Sequence, residues 1–126
     1  MFDLLVWLFG RPERHAVHLH EPRRMAGTLE LARADVAWFL SVEAEDMPAR
    51  EREAGATTFR AITVDGAEVE LSNGFSDLHA RVYAETLAGR GSGIADARAS
   101  IELAHRVRHA PVEDARDLVH PLVRRA

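Results

Sequence analysis

The first ten residues, Met1-Phe-Asp-Leu-Leu-Val-Trp-Leu-Phe-Gly10, place the tightest limit on what this chain can fold into. They form a strongly apolar helical run with a clear stop, since Gly10 can adopt the left-handed conformation that closes a helix. The start is different. No Ser, Thr, Asp or Asn precedes the run to accept its first free N–H groups. The expectation is a buried helix whose beginning, with any chemistry carried there, lies upstream of Met1. The period then changes at once, from helical to alternating, so the helix has strands to pack against.

The alternating stretches follow in order. From Arg14, Val17 and Leu19 fall on one strand face, while Ala16, His18 and His20 fall on the other. Residues 11–13 and Pro22-Arg-Arg24 break the pattern. Thr28–Arg33 is a second run, expected to turn at Ala34-Asp35 into Val36–Glu43. Residues 44–56 are polar, contain Pro48 and Gly55, and read as an exposed loop. Thr57–Val64 and Ala67–Ser72 flank Asp65-Gly66, the strongest hairpin signal in the chain, because a type I′ turn needs positive φ at both central residues. In the return strand Val69 and Leu71 are expected to face the core.

Helical spacing resumes after Asn73-Gly74. Ser76 is the expected N-cap of a helix carrying Leu78, Val82 and Leu87, closed by Gly89. Asp96 is expected to open a last helix, with Ala97, Ile101, Ala104 and Val107 or Arg108 on its apolar stripe, up to Pro111. The predicted fold class is α+β: an open, mainly antiparallel β-sheet of about five strands with helices packed on one face. Residues 1–110 read as one domain and residues 111–126 as a polar tail. Trp38 and Leu40 alternate with Phe39, so both sheet faces are apolar there, and a homo-oligomer through the sheet face is expected.

Composition excludes several function classes. A net charge of −4, well mixed along the chain, argues against nucleic-acid partners. The apolar start is far shorter than the ~20 residues a membrane helix needs, and no membrane partner is expected. All 16 basic residues are Arg. Without Lys, this chain supplies no Schiff-base or phosphate-loop lysine; without Cys, it supplies no thiolate or Cys-based zinc site. Cysteine absence fits a cytoplasmic protein.

Candidate chemistry is sparse. His18 and His20 lie about 7 Å apart on one strand face, but His15 points to the other face and Glu21 is the only carboxylate at an obvious ligand spacing, so no metal site is assigned. Gly89-Arg-Gly-Ser-Gly93 follows a helix and reads as a linker. No Gly-x-Gly-x-x-Gly follows a strand, so no cofactor-binding residues are assigned either. Ser76, Asp77 and His79 crowd one helix start and cannot form a nucleophile–base chain, and no catalytic residue is assigned. Ser76 and His79 could instead hold an anion at a helix N-terminus, opposed by Asp77. Arg60 could pair with Glu68 or Glu70, or make a bidentate contact to a carboxylate or phosphate. Arg60, Ser76 and His79 are the candidate substrate-binding residues.

Met25-Ala-Gly-Thr-Leu-Glu-Leu31, Ala34-Asp-Val-Ala-Trp-Phe-Leu-Ser41, Phe59-Arg-Ala-Ile-Thr-Val-Asp-Gly66, Gly74-Phe-Ser-Asp-Leu-His79 and Gly93–Leu103 together resemble the Gfo/Idh/MocA superfamily. Within it they are most similar to the UDP-N-acetyl-2-amino-2-deoxyglucuronate 3-dehydrogenases of O-antigen biosynthesis. The resemblance implies an N-terminal Rossmann domain that binds NAD, absent from this sequence, and a C-terminal α/β domain that shapes the sugar pocket and builds an oligomer. This chain resembles the C-terminal part. The family's acid–base histidine would fall just before Met1, and its catalytic lysine further upstream. The chain is therefore expected to be inactive alone. Its partners would be the Rossmann domain, a UDP-sugar and copies of itself. The alternatives are a freestanding, non-catalytic module that dimerises through its sheet, or the same domain of an enzyme acting on another sugar or an inositol.

Overall fold

The computed structural model describes residues 1–72, 77–115 and 117–125. It divides into two compact units, Met1–Val42 with Gly93–Ala126, and Glu43–Ser92. The α+β class holds, with five strands in antiparallel pairing among the described residues, but these form a three-stranded and a two-stranded sheet instead of one. The polar stretch after residue 42 separates them. It contains a 3₁₀ turn at Ala44–Asp46 and a short helix, α2 (Ala49–Glu53), where a plain loop is expected from the sequence.

In the first unit, helix α1 (Phe2–Phe9) is followed by strands β1 (Pro12–His20), β2 (Arg24–Leu31) and β3 (Ala34–Ser41), then by helix α4 (Ile94–His109). The sheet order is β1-β2-β3. Partners in an antiparallel ladder share a face, so Val17, Gly27, Leu29 and Leu31 lie with Val36 and Trp38 on the side toward the helices. Leu5, Leu103 and Val107 join Val17, Leu29, Leu31 and Trp38 in the core. Each such aliphatic side chain contributes about 1.5–3 kcal/mol when fully buried.

Gly27 makes this layer possible. It stands opposite Trp38 in the β2–β3 ladder, and a Cβ there would meet the Ala16 carbonyl oxygen and sit 2.8 Å from the Trp38 ring. The indole therefore packs against the place where a side chain would be. Phe2 meets it edge-on, with ring centroids 5.5 Å apart and an interplanar angle of 87°. The Trp38 Nε1 is buried without a hydrogen-bond partner among the described residues, a cost of about 1–3 kcal/mol that the ring's packing must offset.

Two polar ties fix α1. Gly10 closes it with φ of +89° and an N–H bond of 2.9 Å to Val6 O. The β2–β3 turn, at Ala32-Arg33 instead of the expected Ala34-Asp35, serves the same helix end. Arg33 donates its backbone N–H to Phe9 O at 3.0 Å and its guanidinium to Leu8 O at 2.7 Å, satisfying carbonyls that a helix C-terminus leaves free. At the other end, the buried Ser100 hydroxyl lies 3.0 Å from Asp3 Oδ1 and 2.9 Å from Ala97 O, joining α4 to α1.

α4 begins at Ile94, two residues before the expected Asp96. Asp96 instead accepts the Gly93 N–H at 2.7 Å from inside the first turn. Its buried stripe is Ser100, Leu103 and Val107; Ile101, expected there, is 62 % exposed. A serine satisfied by a distant aspartate hid the true face.

β1 also departs from simple alternation. Val17 pairs with Gly27 and Leu19 with Ala26, so one extra residue, His18, bulges between them. The bulge puts Val17 and Leu19 on opposite faces and takes His18 away from His20, which opposes Met25. The carbonyl of Glu113 can only accept, so His18 Nδ1 donates to it at 3.1 Å, and Nε2 accepts the Thr28 hydroxyl at 3.3 Å. The segment after α4 runs beside the bulge: Val112 bridges Val17 in parallel, and the Glu113 N–H reaches Val17 O at 2.8 Å. Further along, His120 stacks on Phe39 with ring centroids 5.4 Å apart. Part of the apolar outer sheet face is thus covered by residues of this chain.

The second unit holds the hairpin of β4 (Ala61–Val64) and β5 (Ala67–Glu70), followed by helix α3 (Leu78–Leu87). Asp65 and Gly66 have φ of 49° and 83°, the expected I′ geometry. One further bond, Leu71 N–H to Arg60 O at 2.6 Å, extends the ladder. Val69, expected in a core, is 53 % exposed. None of the described residues of this unit is buried. Gly89 ends α3 region as expected, with φ of 74°. Among the described residues no helix is long and apolar enough to cross a membrane.

Two expectations follow. Gly27→Ala should cost about 3 kcal/mol in urea unfolding, whereas Glu30→Ala on the same strand should stay within about 0.5 kcal/mol; an unchanged midpoint for Gly27→Ala would contradict the close contact. Burial lowers the pKa of His120 from its ordinary 6.5, so the unfolded chain takes up this proton more readily. The stability it contributes is complete above about pH 6.5 and is lost as the pH falls through the lower folded-state value. Thermal melts taken downward from neutral pH should therefore decline more steeply for the native chain than for His120→Phe; identical slopes would contradict the buried stack.

Candidate functional site

The residues singled out for binding fall in the second unit. Arg60 immediately precedes β4, outside the strand in which it was expected. Its backbone is held on both sides, the N–H by Ser72 Oγ at 2.8 Å and the carbonyl by Leu71 N–H at 2.6 Å. Its side chain is exposed, and it forms no ion pair with Glu68 or Glu70. A fixed backbone, with a guanidinium that has no partner among the described residues, leaves the planar donor fork available to an oxyanion.

His79 lies in the first turn of α3 and is exposed, with Asp77 in the position before the helix. Ser76 lies outside the described residues. Among the described residues no hydrogen bond or ion pair joins Arg60 to His79. The far end of α3 is held by Glu85, whose carboxylate receives Arg90 Nε at 2.8 Å and Nη2 at 2.9 Å. This two-pronged bond holds Glu85 below the usual carboxylate range and raises Arg90. Both groups are in solvent, so the pair positions the segment after α3 without adding much stability.

The first unit presents a different feature: an open groove of about 560 Å³ where α1 and β2 begin, β3 ends and α4 finishes. Its apolar wall includes Phe2, Met25, Leu40 and Val107. Its rim carries Arg23, Arg24 and Arg108 with His20, against a single acid, Glu21. Arg23 donates to Val42 O at 3.2 Å, and both Arg23 and Arg24 are engaged by other residues. The groove gathers residues from five places in the sequence. No local motif announces it, which is why reading the chain in order did not assemble it; the only hint was the doubled arginine after Pro22.

No group of three metal-ligating side chains occurs among the described residues. Chemically, the groove of the first unit sets cationic side chains beside apolar surface, and the second unit carries exposed Arg60 and His79.

No protein-family model matches the chain. Two crystal structures of the WlbA (WbpB) dehydrogenase from Thermus thermophilus are similar to it. The one in complex with NAD and UDP-GlcNAcA is 45 % identical, with a TM-score of 0.89 over 96 % of this chain and 39 % of that one. The one in complex with NAD and α-ketoglutarate is 46 % identical, with a TM-score of 0.90 over 96 % of this chain and 40 % of that one. The chain therefore spans about two-fifths of the length of these relatives. Identity of this order across almost every residue, together with the matching fold, bears out the resemblance read from the sequence segments: over nearly its whole length the chain is similar to a part of the WlbA (WbpB) dehydrogenases.

Proposed function

We propose that this chain is the substrate-side and assembly portion of an NAD-dependent oxidoreductase that acts on the C3 hydroxyl of a UDP-amino-sugar uronate. The observation that carries this reading is the 45 % identity over 96 % of the chain to a dehydrogenase crystallised with NAD and UDP-GlcNAcA. In this reading Arg60, Ser76 and His79 bind the anionic substrate, the sheet face builds a homo-oligomer, and the enzyme works in the cytoplasm within O-antigen synthesis.

NAD itself does not fit the described residues. A dinucleotide pyrophosphate sits where a strand of a parallel βαβ unit passes through a glycine turn into a helix. Among the described residues the named strands pair antiparallel, and none of them belongs to a parallel βαβ unit. The proposal accordingly gives the cofactor to a Rossmann domain outside these 126 residues, along with the proton-transfer groups that act at the sugar carbinol. Residues 1–110 are then the family's C-terminal domain, and residues 111–126 its tail.

The 126-residue chain, mixed with NAD and UDP-GlcNAcA, is expected to form no NADH; clear turnover would overturn the division of labour. In a full-length dehydrogenase carrying this sequence, Arg60→Ala should raise KM for the UDP-sugar about tenfold, as expected for loss of a charge-assisted bond, with little change in kcat. An unchanged KM would remove Arg60 from the substrate contacts.

A further inference from the structure

We propose that His105 and His109, one turn apart at the end of α4, form a two-imidazole site for a divalent transition metal of the zinc and copper class. Neither the UDP-sugar nor NAD takes part in it.

Helical spacing brings the two rings together. Residues four apart are neighbours on one helix face, and the ring centroids of His105 and His109 are 4.3 Å apart with an interplanar angle of 41°. Two nitrogens bound to one tetrahedral zinc lie about 3.3 Å apart, given bonds of about 2.0–2.1 Å. Rings this close reach that separation with a small turn about their side-chain bonds. Both residues are exposed. At about 100° per residue, the pair lies nearly opposite the buried stripe of Ser100, Leu103 and Val107. No core side chain has to move when an ion enters.

Hydrogen bonding selects the ligand atom. The carbonyl of His105 can only accept, so His109 Nδ1 donates to it at 2.8 Å. The proton of the neutral ring is thereby fixed on Nδ1, and the Nε2 lone pair is left for a metal. Metal-bound histidines are commonly oriented in this way, by giving their other N–H to a carbonyl or carboxylate. The His105 ring has no hydrogen-bond partner among the described residues, so no such bond must break for it to turn toward the same ion.

The surrounding charges decide which ion fits. His109 is the last residue of α4, where free carbonyls give a helix a partial negative charge that favours a cation. Glu102, on the same face one turn before His105, is engaged by Arg98 at 3.7 Å and by Arg106 at 3.9 Å. It neutralises Arg106 and is committed there, so water fills the remaining coordination positions. Arg108 lines the groove, on a different face. Two imidazoles with water suit zinc or copper, whereas magnesium and calcium take oxygen ligands. A bound ion ties together the last two turns of α4, just before the segment that carries Val112 and Glu113 to β1.

Calorimetric titration of the 126-residue chain with zinc, copper(II) and magnesium chlorides tests the site. The native chain should bind zinc, bind copper more tightly, and give no response to magnesium. His105→Gln and His109→Gln should each weaken zinc about tenfold or more, since losing a ligand costs no less than losing one of its supporting bonds. His20→Gln, at an exposed histidine outside the helix, should leave zinc binding unchanged. Imidazole nitrogen NMR of the native chain needs no variant: zinc should shift Nε2 of His109 while Nδ1 keeps its proton. Zinc should also raise the melting temperature of the native chain more than that of either helix variant. Zinc binding that survives both helix substitutions, NMR shifts confined to other histidines, an equal response to magnesium, or no zinc binding by the native chain would each overturn the assignment.

Discussion

The first unit depends on one missing side chain. Gly27 has no Cβ, so the Trp38 indole can pack against β2, and Phe2 of α1 meets that ring edge-on. Had any other residue occupied position 27, it would have met backbone on one side and the ring on the other. With α1 seated, its two ends become attachment points. Asp3 takes the Ser100 hydroxyl and draws in α4, and the free carbonyls at Leu8 and Phe9 take the Arg33 turn. The groove is a by-product of the same packing, because it forms where Phe2, β2, β3 and the end of α4 converge.

Local chemistry was legible in the sequence wherever one residue type suffices. Gly10, Gly89 and Asp65-Gly66 adopt positive φ where turn and cap rules require it. The helix–strands–helices order also held, because period changes are visible without tertiary information. Features that depend on a distant partner were hidden. The His18 bulge is invisible to alternation, and its consequence, the flip of Leu19 to the other face, follows only from pairing with Ala26. The buried face of α4 was misread because Ser100 looks like a surface residue until Asp3 is placed beside it. A single sheet was expected because nothing in Thr57–Ser72 says which strands it will join.

The site was less legible than the fold. Arg60 and His79 are accessible, as binding residues must be, yet the structure supplies no bond that brings them together. The groove was missed altogether, since its residues are far apart in sequence and individually ordinary. The outer sheet face shows a similar lesson. Its apolar character was read correctly, but the segment that stacks on Phe39 comes from this chain, through His120, in a stretch whose composition looked merely polar.

The central claim is that a dehydrogenase's labour is divided, with substrate contacts in these residues and the dinucleotide held elsewhere. Side-by-side titration of the 126-residue chain with NAD and with UDP-GlcNAcA tests it most directly. The account predicts saturable binding of the nucleotide sugar and none of NAD. Saturable NAD binding by this chain, with no response to the sugar nucleotide, would contradict it.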